Sequence, residues 1–164
     1  MSTTPSSAAT PPAHLSARPA AKTDASAIHA LIEASSARGQ TLGRTHADID
    51  RHICQFVVVE AGDTPAACAS LVEWPPTVGE VRSVAVSTDH QGKGAGRAAV
   101  MAIIAKARAD ALSTLVLLTK CPEFFARLGF EPVEIDDLPP TYLRLAIIER
   151  GRSLEGRTAM RLKL

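Results

Sequence analysis

The chain has 164 residues and a net charge of +1, and its 18 basic residues are scattered along the sequence. This length predicts one domain whose core needs no metal or disulfide, and the scattered charge argues against nucleic acid or an anionic membrane as a partner. The three cysteines, Cys54, Cys68 and Cys121, form no Cys-x-x-Cys pair, which argues against a disulfide framework or a zinc site. No apolar run approaches the roughly 18 residues of a membrane helix. We therefore expect a cytoplasmic protein without a metal, whose partner is a small molecule.

The N-terminal residues 1–16 are mostly Ser, Thr, Ala and Pro and include no Lys, Arg, Asp or Glu. Such a segment cannot offset the entropy lost on folding, so we expect a flexible tail followed by one domain over residues 17–164. A secretory signal would need a basic start and an apolar run, and both are missing. An organelle transit peptide is usually richer in arginine, but it stays an open alternative.

Two helices and a hairpin are predicted before the centre of the chain. Thr23 and Thr45 can each cap a helix, and apolar residues recur at helical spacing after both. Two β-rich runs joined by Gly-Asp-Thr-Pro then give a hairpin signal. The expected ranges are 17–20 for a first strand, 23–39 and 46–55 for the helices, and 56–60 and 66–72 for the hairpin strands.

A third strand, predicted over residues 80–86, carries two charged side chains. Because side chains alternate along a strand, Glu80, Arg82, Val84 and Val86 are expected on one face. A carboxylate and a guanidinium two residues apart indicate either a surface ion pair or polar groups that face a cleft.

A glycine-rich turn follows this strand and opens a helix predicted from about Gly96 to Ala111. Glycines let a ligand approach the backbone closely, and the first amides of a helix have no intrahelical partner. The positive end of the helix dipole also favours negative charge. The turn therefore predicts a seat for a phosphate or pyrophosphate, built from Gln91, Gly92, Lys93, Gly94, Ala95, Gly96 and Arg97.

Three known loops have glycines at comparable spacing. A nucleotide-hydrolysing P-loop ends in Gly-Lys-Ser/Thr, whereas Lys93 precedes two of the glycines here. A dinucleotide fingerprint needs an acidic residue about 20 positions on, and residues 117–120 are Leu-Leu-Thr-Lys. The third pattern, Gln/Arg-x-x-Gly-x-Gly/Ala, is complete in Gln91, Gly94 and Gly96 and resembles the acetyl-CoA loop of the GNAT family of N-acetyltransferases. The alternative is an ordinary glycine-rich turn before a core helix.

The rest of the chain supports the same resemblance. Phe125, Gly129 and Phe130 give an aromatic-x-x-x-Gly-Phe pattern that resembles a second recurring GNAT signature. We accordingly expect an α/β fold with a mixed, mostly antiparallel sheet of about six to seven strands flanked by about four to five helices. Beyond the glycine-rich helix the predicted elements are a strand, a helix, an extended segment, a helical segment and a closing strand, over residues 115–118, 122–128, 130–135, 141–155 and 158–164.

Three stretches, residues 39–56, 79–86 and 129–139, are similar to the acetyltransferase domain of bacterial N-acetylglutamate synthases. The kinase-like domain of the two-domain synthases is absent from this sequence, so the resemblance implies a stand-alone short form. It implies acetylation of the amino group of L-glutamate, a step of arginine biosynthesis. Because GNAT proteins are commonly dimers, it also implies a homodimer.

The resemblance further implies where acetyl-CoA binds. The pyrophosphate would lie on the amides of residues 92–97, after Gln91. The pantetheine arm would pair with the backbone over Val84, Ala85 and Val86, and the thioester would reach a cleft beside the strand at 115–118. Phe125 belongs to the same set of cofactor contacts.

Glu80 stands where related acetyltransferases have their catalytic glutamate, and it is the candidate base that takes a proton from the amine. The alternative for Glu80 is an ion pair with Arg82. Phe125 occupies the position of the tyrosine that often protonates the departing thiolate. Thr119 is the nearest hydroxyl and becomes the candidate acid or pantetheine contact. Cys121, at a helix start, is a further candidate, with an inert thiol as its alternative.

A substrate with two carboxylates calls for arginine, whose planar fork matches them. Arg44 aligns with an arginine that the synthases use for substrate, with plain surface charge as the alternative, and Arg82 is the second candidate. Near the C-terminus the synthases place Arg and Ser or Thr before the last strand. Arg157-Thr158 fits this pattern, and Arg152-Ser153 fits it in another register.

Two other functions remain open at this stage. An enzyme with the same chemistry can have another acceptor, because stand-alone GNAT proteins act on many amines, including antibiotics and toxic amino acid analogues. A protein with Phe125 in place of tyrosine can also be an acyl-CoA-binding module without turnover. Glu80 argues against this last function.

Overall fold

The computed structural model describes residues 14–149, 151 and 153–164, and it shows a seven-stranded mixed sheet in the order β1-β2-β3-β4-β5-β7-β6. Neighbouring strands are antiparallel except β4 and β5, which are parallel. The expected mostly antiparallel sheet of six or seven strands is confirmed. The strands are β1 (Leu15–Pro19), β2 (Phe56–Ala61), β3 (Thr64–Trp74), β4 (Val78–Val86), β5 (Thr114–Thr119), β6 (Glu131–Pro132) and β7 (Thr158–Lys163).

Five α-helices lie within the described residues, in agreement with the expected four or five. The last of them continues as a π-helix over Leu143–Glu149. None of the helices described is both long and apolar enough to cross a bilayer. The helices are α1 (Ala25–Ala37), α2 (His46–Arg51), α3 (Ala95–Ala109), α4 (Pro122–Ala126) and α5 (Pro140–Tyr142).

Local sequence signals explain most of the element boundaries. The Thr45 hydroxyl caps α2 by accepting from the Asp48 amide at 3.1 Å, as predicted. Thr23 does not cap α1, because it lies within a 3-10 turn and the helix starts at Ala25 after Asp24. The Asp24 carboxylate accepts from the Ala21 amide at 2.7 Å, so the chain is already fixed before the helix begins.

Three other boundaries differ from the sequence-based ranges. The first strand begins at Leu15, inside the expected tail; residues 1–13 of that tail lie outside the described residues. The extended segment at 130–135 contains only the two-residue β6, since Pro132 has no N–H to continue a ladder. Helical structure after Pro139 is described as far as Glu149, and the predicted continuation to 155 is wrong because residues 151 and 153–155 are not helical.

The two faces of the sheet are covered by different helices. α3 packs on one face through the stripe that the sequence predicted, which includes Val100, Ile103 and Ile104. Ile28 and Ile49, from α1 and α2, cover the β2 to β4 end of the other face. α5 and the π-helix cover the rest of that face, where Trp74, Val78, Val116, Leu138, Tyr142, Ala146 and Ala159 form a buried cluster.

β4 contains a β-bulge that the sequence did not reveal. Cys68 of β3 pairs with Ala85 and Ser70 pairs with Arg82, so β4 has one more residue than β3 between these pairs. Ser83 lies there with φ +55°, in the left-handed region that β-bulges often use. An extra residue moves every later side chain of the strand to the opposite face.

The prediction that Glu80, Arg82, Val84 and Val86 share one face is therefore wrong. Val84 and Val86 pack toward α3. Ala85 packs toward α1 instead. Glu80 lies on the face covered by α5, where it contacts Tyr142.

β4 and β5 separate from each other at the middle of the sheet. Their parallel pairing covers Val78 to Glu80 on β4 and Thr114 to Val116 on β5. Both strands continue beyond this point, to Val86 and Thr119. The gap between the two diverging strands is where the candidate site lies.

Candidate active site

A cavity of about 430 Å³ occupies this gap. Its walls come from both faces of the sheet: Ser35 and Leu42 lie on the α1 side, and Ala95 and Phe124 lie on the α3 side. Most of the side chains predicted for the site line this one cavity. They are Arg44, Glu80, Arg82, Val84, Val86, Gln91, Gly92, Gly94, Ala95, Gly96, Arg97, Thr119, Phe125 and Arg157.

Three predicted residues do not line the cavity. The bulge turns the Ala85 side chain into the core beneath α1. Lys93 is exposed on the glycine-rich turn and lies outside the cavity wall. Thr158 lines a separate groove that also includes Glu131 and Arg161. The alternative register, Arg152-Ser153, lies partly outside the described residues.

The glycine-rich turn has the backbone geometry that the sequence indicated. Gly92 and Gly94 have φ values of +73° and +88°, which L side chains rarely adopt, and Gly94 is the N-cap of α3. A Cβ on Gly96 would lie 3.1 Å from Val86 Cγ2, so the start of the helix packs directly on the end of β4. The first amides of α3 and the positive end of its dipole can therefore hold an anionic group beside the cavity.

Glu80 is the buried carboxylate of the site, with 2% of its surface exposed. Trp74 Nε1 donates to Glu80 Oε1 at 3.2 Å, and the Tyr142 hydroxyl donates to Oε2 at 3.0 Å. Neither partner was predicted from the sequence. The one available signal was that they are the single tryptophan and single tyrosine of the chain, since buried indole and phenol groups need a polar partner.

Arg44 is held rigidly at the other side of the cavity. Its Nε donates to Asp48 Oδ2 at 2.7 Å, and a terminal nitrogen donates to Ser83 Oγ at 3.3 Å. The guanidinium carbon lies 5.0 Å from the centre of the Phe56 ring. The Arg44 side chain is only 8% exposed, so it is not a plain surface charge.

The contact with Arg44 lowers the pKa of the Asp48 carboxyl. Partial burial works to raise the pKa of the Asp48 carboxyl, but the hydrogen bond and positive charge of Arg44, helped by His52, hold it below its usual value. The carboxylate therefore stays ionised and keeps Arg44 in a fixed orientation at neutral pH.

The end of the cavity near β5 carries a hydroxyl and a thiol. Thr119 is buried, and its Oγ1 accepts from the Cys121 amide at 2.9 Å. This bond leaves the hydroxyl proton able to point at a ligand. Cys121 is exposed and lines the cavity. Phe125 is buried with its ring edge-to-face against Phe124 and Phe130.

The charge of the cavity is strongly asymmetric. Arg44, Arg82, Arg97 and Arg157 line it, and Glu80 is the acidic residue among the described residues of its wall. Such a surface favours anionic ligands. The same described part of the chain contains no group of three or more His, Cys, Asp or Glu side chains placed to hold a metal ion.

Curated relatives share most of this chain. It is 35% identical over 118 residues to the amino-acid acetyltransferase of Edwardsiella ictaluri, which covers 71% of this chain and 27% of that protein. It is 32% identical over 129 residues to the amino-acid acetyltransferase of Escherichia coli K12, covering 77% of this chain and 29% of the relative. The chain thus spans little more than a quarter of the length of these relatives.

Solved structures show the same fold. N-acetylglutamate synthase from Neisseria gonorrhoeae, complexed with coenzyme A and N-acetyl-glutamate, matches with a TM-score of 0.82 and 30% identity over 93% of this chain and 35% of its own. Rv2747 from Mycobacterium tuberculosis, complexed with CoA, matches with a TM-score of 0.79 and 27% identity over 91% of this chain and 99% of its own. The model of the acetyltransferase (GNAT) family matches residues 29–130. This chain belongs to the GNAT family of acetyltransferases.

Proposed function

We propose that the protein transfers the acetyl group of acetyl-CoA to the amino group of L-glutamate, a reaction of arginine biosynthesis. One observation carries the proposal: a single cavity joins a glycine-rich anion seat to a buried carboxylate and three arginines, Arg44, Arg82 and Arg157. The named relatives and structural neighbours support the same chemistry.

The residues around the glycine-rich turn fit acetyl-CoA. The left-handed Gly94 and the close contact of Gly96 with Val86 keep side chains away from the space that a pyrophosphate needs. Each bond from an amide to a phosphate oxygen contributes roughly 1.5 to 3 kcal/mol. β4 beyond Glu80 is not paired with β5, so its backbone over Val84 can pair with an extended pantetheine arm.

Glu80 and Thr119 supply the proton transfers. Glu80 takes a proton from the ammonium group of the acceptor, directly or through water. The amine nitrogen then attacks the thioester carbonyl, a C–N bond forms and the C–S bond breaks. The attacking nitrogen releases its second proton to water as the amide forms. The departing thiolate takes a proton from water, either directly or through the Thr119 hydroxyl, which water then reprotonates. Cys121 is the second group near this end that could donate.

The arginine side chains that line the cavity indicate the charge of the acceptor. Both carboxylates of L-glutamate can be matched by guanidinium groups, and Arg44 is already oriented by Asp48 and Ser83. A neutral amine would offer these guanidinium groups no carboxylate to bind. This argument favours a dicarboxylic acceptor over antibiotics or other amines.

A thiol-release assay with acetyl-CoA and a panel of amino acids and amines tests the proposal. We expect L-glutamate to give the highest kcat/KM, and Glu80→Gln to lower kcat by about 100-fold with little change in acetyl-CoA affinity. Faster turnover of another amine would replace the acceptor and leave the chemistry intact. Acetyl-CoA binding without turnover of any acceptor would show a silent binding module, the function that Phe125 favours.

A further inference from the structure

Glu80 is surrounded by apolar side chains on the face covered by α5. Trp74, Val116, Leu138 and Tyr142 belong to the buried cluster around it, and Glu80 itself is 2% exposed. On the adjacent strands its partners are Val72 and Val116. A carboxylate in such surroundings stays ionised only if hydrogen-bond donors replace the lost water.

Trp74 and Tyr142 supply these donors, one to each carboxylate oxygen. An indole N–H can only donate, so Oε1 must act as an acceptor. Tyr142 is fully buried, and its ring lies edge-to-face against Trp74 with the centroids 5.9 Å apart. The two donors therefore stabilise each other's position as well as that of Glu80.

We propose that Trp74 and Tyr142 are positioning residues whose hydrogen bonds to both carboxylate oxygens hold Glu80 oriented for proton removal from the acceptor. The proposal rests on the role of Glu80 as the base. Neither aromatic residue lines the cavity, so neither is placed to touch the acceptor or the thioester. Tyr142 is 62 residues from Glu80 in sequence, and it connects the α5 segment to the chemistry.

Other titratable groups near the carboxylate define the controls. Arg44, Arg82, Arg97 and Arg157 share the cavity with Glu80. His90 and Cys121 also line the cavity. The pH profiles are therefore compared only between variants that all keep these side chains.

Tyr142→Phe is the central variant, because it removes one hydroxyl and keeps the ring. With one donor lost, the protonated form of Glu80 gains in population, so the acidic limb of the kcat/KM profile for L-glutamate should move to higher pH. We expect a loss of about tenfold or more on that limb and an unchanged KM for acetyl-CoA. Ionisation of the acceptor amine is common to all variants and cancels in the comparison.

Trp74→Phe removes the other donor to Glu80, so it should also move the acidic limb of the kcat/KM profile to higher pH. Ser70→Ala is the matched control, since the buried Ser70 hydroxyl donates to the Arg82 carbonyl at 3.1 Å and not to Glu80. This control should lower the thermal unfolding midpoint without moving the limb. If Tyr142→Phe does not fold, the shift in Trp74→Phe decides alone.

Glu80→Gln distinguishes an error in the proposed base from an error in the proposed positioning roles. If Glu80→Gln turns over like the unaltered protein, the assigned base is wrong and the positioning roles fall with it. If Glu80→Gln loses turnover while both aromatic variants keep the acidic limb in place, only the inference about Trp74 and Tyr142 is overturned. A limb that moves equally in Ser70→Ala would likewise overturn it.

Discussion

Nε of Arg44 donates to Oδ2 of Asp48 across 2.7 Å. Arg44 lies two residues before α2, and Asp48 lies in the first turn of that helix. Asp48 also lies 3.1 Å from Nδ1 of His52, on the next turn. One carboxylate thus joins the cavity arginine to a partly exposed histidine. The short helix matters for function because it orients Arg44 from outside the cavity.

Asp48→Asn should weaken acceptor binding. The amide keeps the shape of the side chain but removes the charge that orients Arg44, so the KM for L-glutamate should rise about five- to tenfold. The KM for acetyl-CoA should not change. Asp50→Asn, on the same helix but outside the cavity wall, is the control. An equal rise in both KM values would indicate a general loss of structure instead.

Stability should depend on pH through Asp24. The hydrogen bond from Arg18 lowers the pKa of the Asp24 carboxyl, burial opposes this, and the bond from the Ala21 amide adds to the lowering. A group with a lowered folded-state pKa stabilises the protein above its unfolded pKa, about 3.9, and loses this contribution as the pH falls through the folded value.

Asp24→Asn should therefore destabilise the protein at pH 7 by up to about 1 kcal/mol, and the difference should shrink at pH 3. Urea unfolding at both pH values measures it. Asp63→Asn, on the exposed β2–β3 turn, serves as the control. A difference of the same size at pH 7 and pH 3 would contradict the prediction.

Gly94→Val should abolish most of the affinity for acetyl-CoA. The branched side chain is strained at φ +88° and would distort the turn that we propose binds the pyrophosphate. A loss of tenfold or more in Kd is therefore expected, about 1.4 kcal/mol or more. Gly62→Val is matched to it, because Gly62 has φ +61° with nothing within 4 Å of an added Cβ. Calorimetric titration should show normal binding in the Gly62 variant despite similar backbone strain.

The three thiols should differ in reactivity. Burial raises the pKa of Cys68 to about 12, so this thiol stays protonated and inaccessible at neutral pH. Cys54 and Cys121 are exposed. A chromogenic disulfide reagent should therefore titrate two thiols in the folded protein and a third after unfolding.

Acetyl-CoA should protect one of the two reactive thiols, because Cys121 lines the cavity and Cys54 does not. The Cys121→Ser variant identifies the protected group. Rapid reaction of all three thiols, or protection that persists in Cys121→Ser, would contradict the placement of the cavity.

Local chemistry made the glycine-rich turn and the Thr45 cap predictable. Both depend on residues within four positions of each other, and glycine and threonine have narrow backbone preferences there. Burial of the α3 stripe followed from helical periodicity. These features needed no knowledge of which strands are neighbours.

The surroundings of Glu80 were not predictable in the same way. Serine is not a residue that favours a left-handed backbone, so nothing in the sequence marks the bulge at Ser83. The bulge and the reversed face of Val84 are visible only in the pairing of β3 with β4. Tyr142 reaches Glu80 because α5 covers the sheet, which is a long-range contact. The sequence predicted Glu80 as a site residue and the glycine-rich turn, but not the Trp74 and Tyr142 side chains that donate to Glu80.

The separation of β4 and β5 gives the sheet a slot that is open to both of its faces, with Arg44 on one side and Phe124 on the other. For the proposed reaction, the acceptor can enter the cavity from one face of the sheet and the thioester from the other. Neither has to leave to admit the other. We therefore expect a sequential mechanism. Both substrates are bound at the same time, and the acetyl group moves directly from the thioester to the amine.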